Sequence, residues 1–342
     1  MEQINTNTAT DISAKRVGHS KIPDELSGKM YNMSVLSALL IVLLHTPLNE
    51  MEMPTWCIRY IRFGLCEIAV PYFFFASGFF LMGTYCRQGN LCNAYIYALK
   101  TRFWSLVVPY LIFETIASLF KHEWGYGINL LRFPAYHLLW YVRTLFLFVV
   151  ISYFIAASIR WSRWFSLFLL ILVFVFSFLT LSDCWCHMER LRNLFAITIR
   201  PMSLFMFMTG MFLRFHGLDV LTSKYLRYFM LLGIILLAAR PSLTGVVATS
   251  GICLLMFGIL GCISHVVMPT WIVHNVFPIY LLHGLLIYGA RSVMRFCGCN
   301  FEAKTVVLYF TMAFFEIIAC IAIAQLLRRF MPRISAIAFG GR

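Results

Sequence analysis

Long apolar runs alternate with short charged segments along most of the chain. Ten of these runs approach the length of about 20 residues that carries an α-helix across a bilayer. They lie approximately at 30–48, 68–85, 103–120, 137–158, 164–182, 197–213, 226–240, 243–263, 272–290 and 305–327. The pattern predicts an all-α integral membrane protein, a bundle of about ten transmembrane helices.

The polar segments at the two ends define the domain organisation. Residues 1–29 are predicted to form a polar cytoplasmic N-terminal tail, 30–328 one transmembrane domain, and 329–342 a short basic C-terminal tail. Lys and Arg outside the runs are more frequent on the side that carries the N-terminal tail. This bias favours a cytoplasmic location for both termini, and an even number of spans agrees with it.

Composition supports the membrane class. The chain is 61% hydrophobic and 12% charged, whereas a soluble domain carries about 25% charged residues. Its formal net charge of +14 is attributed to Lys and Arg that flank spans and meet anionic lipid head groups. Membrane lipids are therefore predicted as partners, and nucleic acid is not. The pairs Cys184/Cys186 and Cys297/Cys299 are spaced too closely for a usual zinc site, so no metal site is predicted.

Several ionisable residues fall within the predicted spans, where they are costly and usually face an interior cavity. These candidates are His45, Glu67 (at a span edge), Glu114, His137, Arg143, Arg200, His283 and Glu316. His45, near the outward end of its span, fits an interfacial residue as well as a general base. His283 fits a functional group as well as a buried histidine bonded to a backbone carbonyl.

The remaining candidates have two interpretations each. Arg143 and Arg200 either extend to the interface or hold an anionic group such as phosphate through the planar guanidinium. Glu114, in mid-span, is either protonated or paired with an arginine. Ser77 and Gly78 indicate close helix packing, and Ser77 lining a site is the alternative.

The order of five phrases carries a family resemblance. They are the span ending in His45, the segment 69–79 (AVPYFFFASGF), Lys100-Thr101-Arg102 followed by Val108-Pro109-Tyr110, His137-Leu138-Leu139-Trp140-Tyr141, and Ile279-Tyr280-Leu281-Leu282-His283. The sequence resembles the acyltransferase-3 family of bacterial membrane proteins, ten-span enzymes that O-acylate sugars and glycolipids. The phrases extend from about residue 30 to 290.

The resemblance implies a reaction and a site. The reaction is transfer of an acyl group, most often acetyl, from acyl-CoA to a hydroxyl of a surface saccharide or its lipid-linked precursor, in the bacterial inner membrane. It implies His45 as the base, with Lys100 and Arg102 binding the CoA phosphates at the cytoplasmic face. The predicted substrate cavity comprises Ser77, Glu114, His137, Trp140, Arg143, Arg200 and His283. Acetyl-CoA or another acyl-CoA is the co-substrate, and no bound cofactor is predicted.

Two positions depart from the family pattern. Ser34 stands where members commonly carry an arginine. Glu67, before Ala69-Val70-Pro71, stands where the branch of the family whose second span reads Arg-x-Ala-Val-Pro carries an arginine. Two alternatives therefore stay open at this point: a transporter or flippase of a glycolipid or acylated molecule, and a membrane partner with a degenerate site. Association as a homo-oligomer or with a partner protein is also left open.

Overall fold

The computed structural model describes residues 22–121, 137–181, 200–238, 245–266 and 268–341. Among them the secondary structure is helical, apart from one isolated bridge between Leu48 and Ala303. Six helices are long and apolar enough to cross a membrane: α1 (Asp24–His45), α2 (Cys57–Arg87), α3 (91–121, with its apolar stretch Leu91–Leu119), α4 (Trp140–Trp161), α11 (Val276–Phe296) and α12 (Val306–Phe330). The protein is thus an all-α integral membrane protein.

Shorter helices fill the rest of the bundle. They are α5 (Arg163–Leu181), α6 (Pro201–His216), α7 (Leu218–Thr222), α8 (Tyr228–Ala238), α9 (Gly245–Cys262), α10 (Thr270–Val273) and α13 (Pro332–Ala338). Each of the ten predicted runs overlaps a helix, and the run 272–290 also includes the end of α10, because an apolar stretch in lipid must satisfy its backbone groups internally. Four of them, on α5, α6, α8 and α9, are outside the set of six, so the count of ten spans stays a prediction.

Local sequence signals explain where two of the helices, α1 and α3, begin. The first turn of α1 follows Pro23 and carries Asp24 and Glu25, which suit the positive end of the helix dipole. The Asn90 side chain accepts hydrogen bonds from the backbone N–H groups of Cys92 and Asn93 at the start of α3. Helix α1 therefore begins within the segment that composition assigned to the N-terminal tail.

Two of the long helices contain π-helical segments. In α2 this segment is Cys57–Leu65, followed by a 3-10 turn and the α-helix Ala69–Arg87. In α3 it is Phe103–Val107, between the α-helices Leu91–Arg102 and Val108–Lys121. Such insertions re-aim the residues beside them and occur often at functional sites. The one in α3 follows Arg102 directly.

The C-terminal segment, predicted from the sequence as a short basic tail, packs into the bundle. Phe339 is fully buried, and Gly340 adopts φ +65° against Ser105 in the π-helical segment of α3. A Cβ on Gly340 would lie 2.6 Å from the Ser105 carbonyl oxygen, so only glycine fits both the backbone angle and the space. Apolar residues of this segment are thus buried against the bundle.

Arg328 at the end of α12 connects this C-terminal segment to the start of α11. Its guanidinium donates to Asn275 Oδ1 at 2.8 Å and to the His274 carbonyl oxygen at 2.9 Å, and it lies over the Phe339 ring. Arg328→Ala is expected to lower the free energy of unfolding by about 1–3 kcal/mol, since these hydrogen bonds come from a charged donor. Thermal unfolding in detergent measures this loss.

Its neighbour Arg329 supplies the matched control because it is exposed. Arg329→Ala should leave the free energy of unfolding within about 0.5 kcal/mol of the wild-type value. Equal destabilisation by the two alanines would contradict a specific role for Arg328.

Candidate functional site

A cavity of about 300 Å³ lies between α1, α2, α3, α4 and α11, and we call it cavity A. Its lining is largely aromatic and aliphatic, with the polar side chains of Ser34, Ser77, Arg102, Tyr141 and Tyr280 among it. Apolar walls with a few convergent polar groups are typical of small-molecule sites. Two residues predicted from sequence, Ser77 and Arg102, thus line the same cavity.

Tyrosine hydroxyls organise the polar part of cavity A. Ser77 Oγ lies 3.1 Å from the Tyr141 hydroxyl, and Ser34 Oγ lies 3.1 Å from the Tyr72 hydroxyl. Ser34 also donates to the Met30 carbonyl oxygen at 2.9 Å. Where the family commonly has an arginine, this chain therefore has a small hydroxyl residue bonded to its own helix and to α2. Among the described lining residues, the charged group of cavity A is Arg102.

Lys100 lies outside cavity A. It is exposed on the first α-helical part of α3, whereas Arg102 is half-buried. Two residues along a helix are separated by about 200° around its axis, so the two side chains leave on nearly opposite faces. The two predicted donor-binding cations are therefore separated, and Arg102 is the one at the cavity.

Two histidines distant in sequence lie side by side. His45 is the last residue of α1 and is half-buried, and its ring centroid lies 5.5 Å from that of the fully buried His283 on α11. His283 Nδ1 lies 2.8 Å from the Tyr280 carbonyl oxygen, so this nitrogen carries the proton, since a carbonyl only accepts. Nε2 is then an acceptor, buried and without a hydrogen-bond partner among the described residues.

Tyr280 connects the histidine pair to cavity A. Its ring lies 5.4 Å from that of Tyr141 and 6.0 Å from that of His283, and its hydroxyl donates to the Leu138 carbonyl oxygen. Because Tyr280 also lines cavity A, a path of ring contacts extends from this cavity to the histidine pair, which is not among the described lining residues. The sequence predicted no role for Tyr280 or Tyr141. The signal that points to them is their place in the family phrases.

Arg200 lies against Trp140 beside this path. The guanidinium carbon is 3.5 Å from the indole ring centroid, a cation–π contact. Arg200 precedes Pro201 and has φ +46°, which makes it the non-glycine residue with positive φ in the described chain. Such a backbone conformation costs about 1–3 kcal/mol and concentrates at functional sites. Arg200 is thus held in place rather than extended to the membrane interface.

Arg143 and Glu114 are buried in the same region. Arg143 is 2% exposed and Glu114 is 0% exposed, and both lie close enough to Tyr110 to interact electrostatically with it. Arg143 also lies near Arg200. Buried charges in a membrane helix must be paired or hydrogen-bonded, so these residues form a polar cluster inside the bundle rather than an interfacial one. The side chain of His137 lies outside the described residues.

The small residues beside Ser77 serve close packing. A Cβ on Gly78 of α2 would lie 2.0 Å from the Phe207 carbonyl oxygen of α6, and one on Gly210 of α6 would lie 2.0 Å from that of Phe75. The two helices therefore cross backbone to backbone at a pair of glycines. Both interpretations of the Ser77-Gly78 pair hold: Gly78 allows the crossing and Ser77 lines the cavity.

A known protein family matches the part of the chain that forms this site. The acyltransferase domain family matches residues 33–327, which includes the residues that line cavity A and the histidine pair, apart from Tyr31. No curated protein and no solved structure matches the chain. With a match over nearly its whole length, the chain belongs to the acyltransferase-3 family and is a membrane acyltransferase.

Proposed function

We propose that this protein transfers an acyl group, most simply acetyl, from acyl-CoA to a hydroxyl of a cell-surface polysaccharide or its lipid-linked precursor. The observation that carries the proposal is that Arg102 lines cavity A together with Tyr141 and Tyr280, and that ring contacts connect Tyr280 to the His45–His283 pair. A cation for phosphates and a base for a hydroxyl are the two groups that this transfer needs.

His45 supplies the base in this proposal. Its imidazole takes the proton of the acceptor hydroxyl while the hydroxyl oxygen attacks the thioester carbonyl. The new C–O bond forms, the C–S bond breaks, and the CoA sulfur takes the proton back from the imidazolium. The adjacent His283 orients the site: its Nδ1–H is fixed on the Tyr280 carbonyl, so its ring is held in one position.

Arg102 and Lys100 support binding of the donor. A guanidinium bonds phosphate oxygens in pairs, and cavity A offers its apolar walls to the pantetheine arm. Exposed Lys100 would contact phosphate groups outside the cavity. With the N-terminus in the cytoplasm, both cations lie toward the cytoplasmic side of α3, where acyl-CoA is available. We therefore place the protein in the bacterial inner membrane with both termini inside.

Arg200, Arg143 and Trp140 support a second role, in holding the acceptor or the developing charge. The Arg200 guanidinium stacks on Trp140 and lies close enough to Tyr280 to interact with it electrostatically. A positive group fixed in a low-dielectric bundle stabilises an oxyanion or an anionic head group more strongly than one in water. Glu114 contributes the compensating carboxylate in this cluster.

Arg102→Ala is expected to raise the KM for acyl-CoA by about tenfold to a hundredfold, because it removes one to two charge-assisted hydrogen bonds to the phosphates. The KM for the acceptor should stay near its wild-type value. Initial-rate kinetics with varied acetyl-CoA measure the change. Lys100→Ala, on the exposed face two residues away, is the matched control and should change the donor KM by about threefold or less. An unchanged donor KM for Arg102→Ala would reject the assignment.

The reaction itself is tested with radiolabelled acetyl-CoA and membranes that contain or lack the protein. Label in the lipid or polysaccharide fraction, present only with the protein, would establish transfer and indicate the acceptor. Label absent from both fractions, under conditions in which the protein is folded and the donor is intact, would contradict acetyl transfer.

A further inference from the structure

A second cavity, cavity B, of about 470 Å³ lies between α11 and α12. Its walls are almost entirely apolar, with Leu286, Ile287, Leu308 and Phe315 among them, and the one acidic side chain in its described lining is Glu316. The volume falls in the range of small-molecule sites. Cavity B is separate from cavity A, since the two share no lining residue.

The register of α11 places the histidine pair between the two cavities. Val276, Phe277 and Tyr280 line cavity A, and the residues of α11 at cavity B begin at Leu286. His283 lies midway, three residues from each, which is about 4.5 Å along the helix axis. His45 lies beside His283. The histidine pair, which is not among the described lining residues of either cavity, thus lies along α11 between a partly polar cavity and an apolar one.

Glu316 lines cavity B from α12. Its carboxyl group is within hydrogen-bonding reach of Thr46, the residue next to His45. Its Oε1 atom is buried and has no hydrogen-bond partner among the described residues. A buried carboxyl oxygen without a partner is costly, and in a membrane helix such a group usually serves a ligand. A hydroxyl donor bound in the cavity would satisfy this oxygen.

The surroundings of cavity B determine what kind of molecule reaches it. Helix α12 crosses the membrane and exposes large apolar side chains, including Phe314, Phe315 and Ile318, so its outer surface faces lipid. A molecule that enters from this side must be soluble in hydrocarbon. A free sugar would gain nothing from these walls, whereas an alkyl chain would bury apolar surface along them.

We infer that cavity B binds the alkyl chain of a lipid-linked acceptor, and that Glu316 accepts a hydrogen bond from a hydroxyl of its head group beside His45. The inference rests on the proposed function for the reaction and selects the lipid-linked acceptor over free polysaccharide. The donor then occupies cavity A, and the two substrates meet at the histidine pair. Binding of the alkyl chain is separable from catalysis and is tested by itself.

The probe is dodecyl β-D-glucoside with a photoactivatable diazirine at the end of its alkyl chain. Membranes that contain the protein are irradiated with the probe, and labelled peptides are mapped by mass spectrometry. We expect labelling within 286–290 and 308–319 that excess unlabelled dodecyl glucoside removes. Ala319→Leu, which fills the cavity, should reduce this labelling about tenfold. Ala322→Leu, the same change three residues on at an exposed position, should leave it unchanged.

One labelling result would overturn the inference: labels spread over exposed helix faces, not removed by unlabelled dodecyl glucoside and equal in both variants. Such labels would reflect contact with bulk lipid alone.

A second experiment measures acetyl transfer to dodecyl glucoside and to methyl glucoside, which share the same sugar hydroxyls. Ala319→Leu should raise the KM for the dodecyl acceptor about tenfold and leave that for the methyl acceptor unchanged. Equal KM values of the wild type for both acceptors would also overturn the inference. Competed labelling without transfer to either sugar would reject the proposed reaction while supporting the binding site.

Discussion

His45→Ala is expected to lower acyl transfer by about 10²–10⁴-fold, the contribution of a positioned general base. His45 is half-buried at the end of α1, whereas the His283 imidazole beside it is fully buried with its Nδ1–H on the Tyr280 carbonyl oxygen, so we expect His45 to be the member of the pair that reaches the acceptor. The loss should fall on kcat, because the donor cation Arg102 and the walls of cavity A are unchanged. Single-turnover transfer from labelled acetyl-CoA measures the chemical step.

A matched histidine outside the site provides the control. His265 is exposed after α9, and His265→Ala should keep the wild-type rate. Both variants need the same elution profile in detergent as the wild type, which excludes misfolding. Added imidazole should restore part of the transfer in His45→Ala if the missing group is a base. Wild-type turnover in a folded His45→Ala protein would remove His45 from the mechanism.

Gly78→Ala is expected to prevent stable folding, at a cost of more than about 3 kcal/mol, which is above the usual range for overpacking. The added methyl would lie 2.0 Å from the backbone oxygen of Phe207, and backbone cannot rotate away as a flexible side chain can. Helix α6 would have to move outward, and the reciprocal contact of Gly210 with Phe75 would be lost with it. Thermal unfolding and recovery of monodisperse protein in detergent measure the effect.

Gly289 on α11 is the control for the glycine substitution. A Cβ there meets nothing within 4 Å. Gly289→Ala should therefore raise stability slightly, by the roughly 0.5–1 kcal/mol that alanine gains over glycine in a helix. If Gly78→Ala unfolded at the wild-type temperature, the backbone crossing of α2 and α6 would be wrong.

Part of the site could be predicted from residue type alone. A charge or an imidazole inside an apolar run is expensive, and this cost alone selects His45, Arg143, Arg200 and His283. The family phrases add Arg102 and give the reaction class. Those signals depend on local sequence, and the structure places each of these residues inside the bundle or at its cavity.

Other parts depended on helix register and side-chain direction. Lys100 and Arg102 were predicted to act as one cationic pair, but positions two apart on a helix face different sides, and only Arg102 lines the cavity. Tyr280 has no role that its residue type predicts, because its importance comes from what lies around it. Glu316 is recognisable in mid-span, but its position beside Thr46 depends on how α12 packs against α1.

The sequence by itself determined the membrane class, the helical runs and the residue types that we propose carry the chemistry, because the cost of polar groups in lipid acts on each residue separately. Only the tertiary structure decided which of these residues meet. His45 and His283 lie at opposite ends of the chain, and their contact arises from the packing of α1 on α11. The burial of Phe339 and the two cavities on either side of the histidine pair have the same origin, since helix packing is set by side chains that no local pattern brings together.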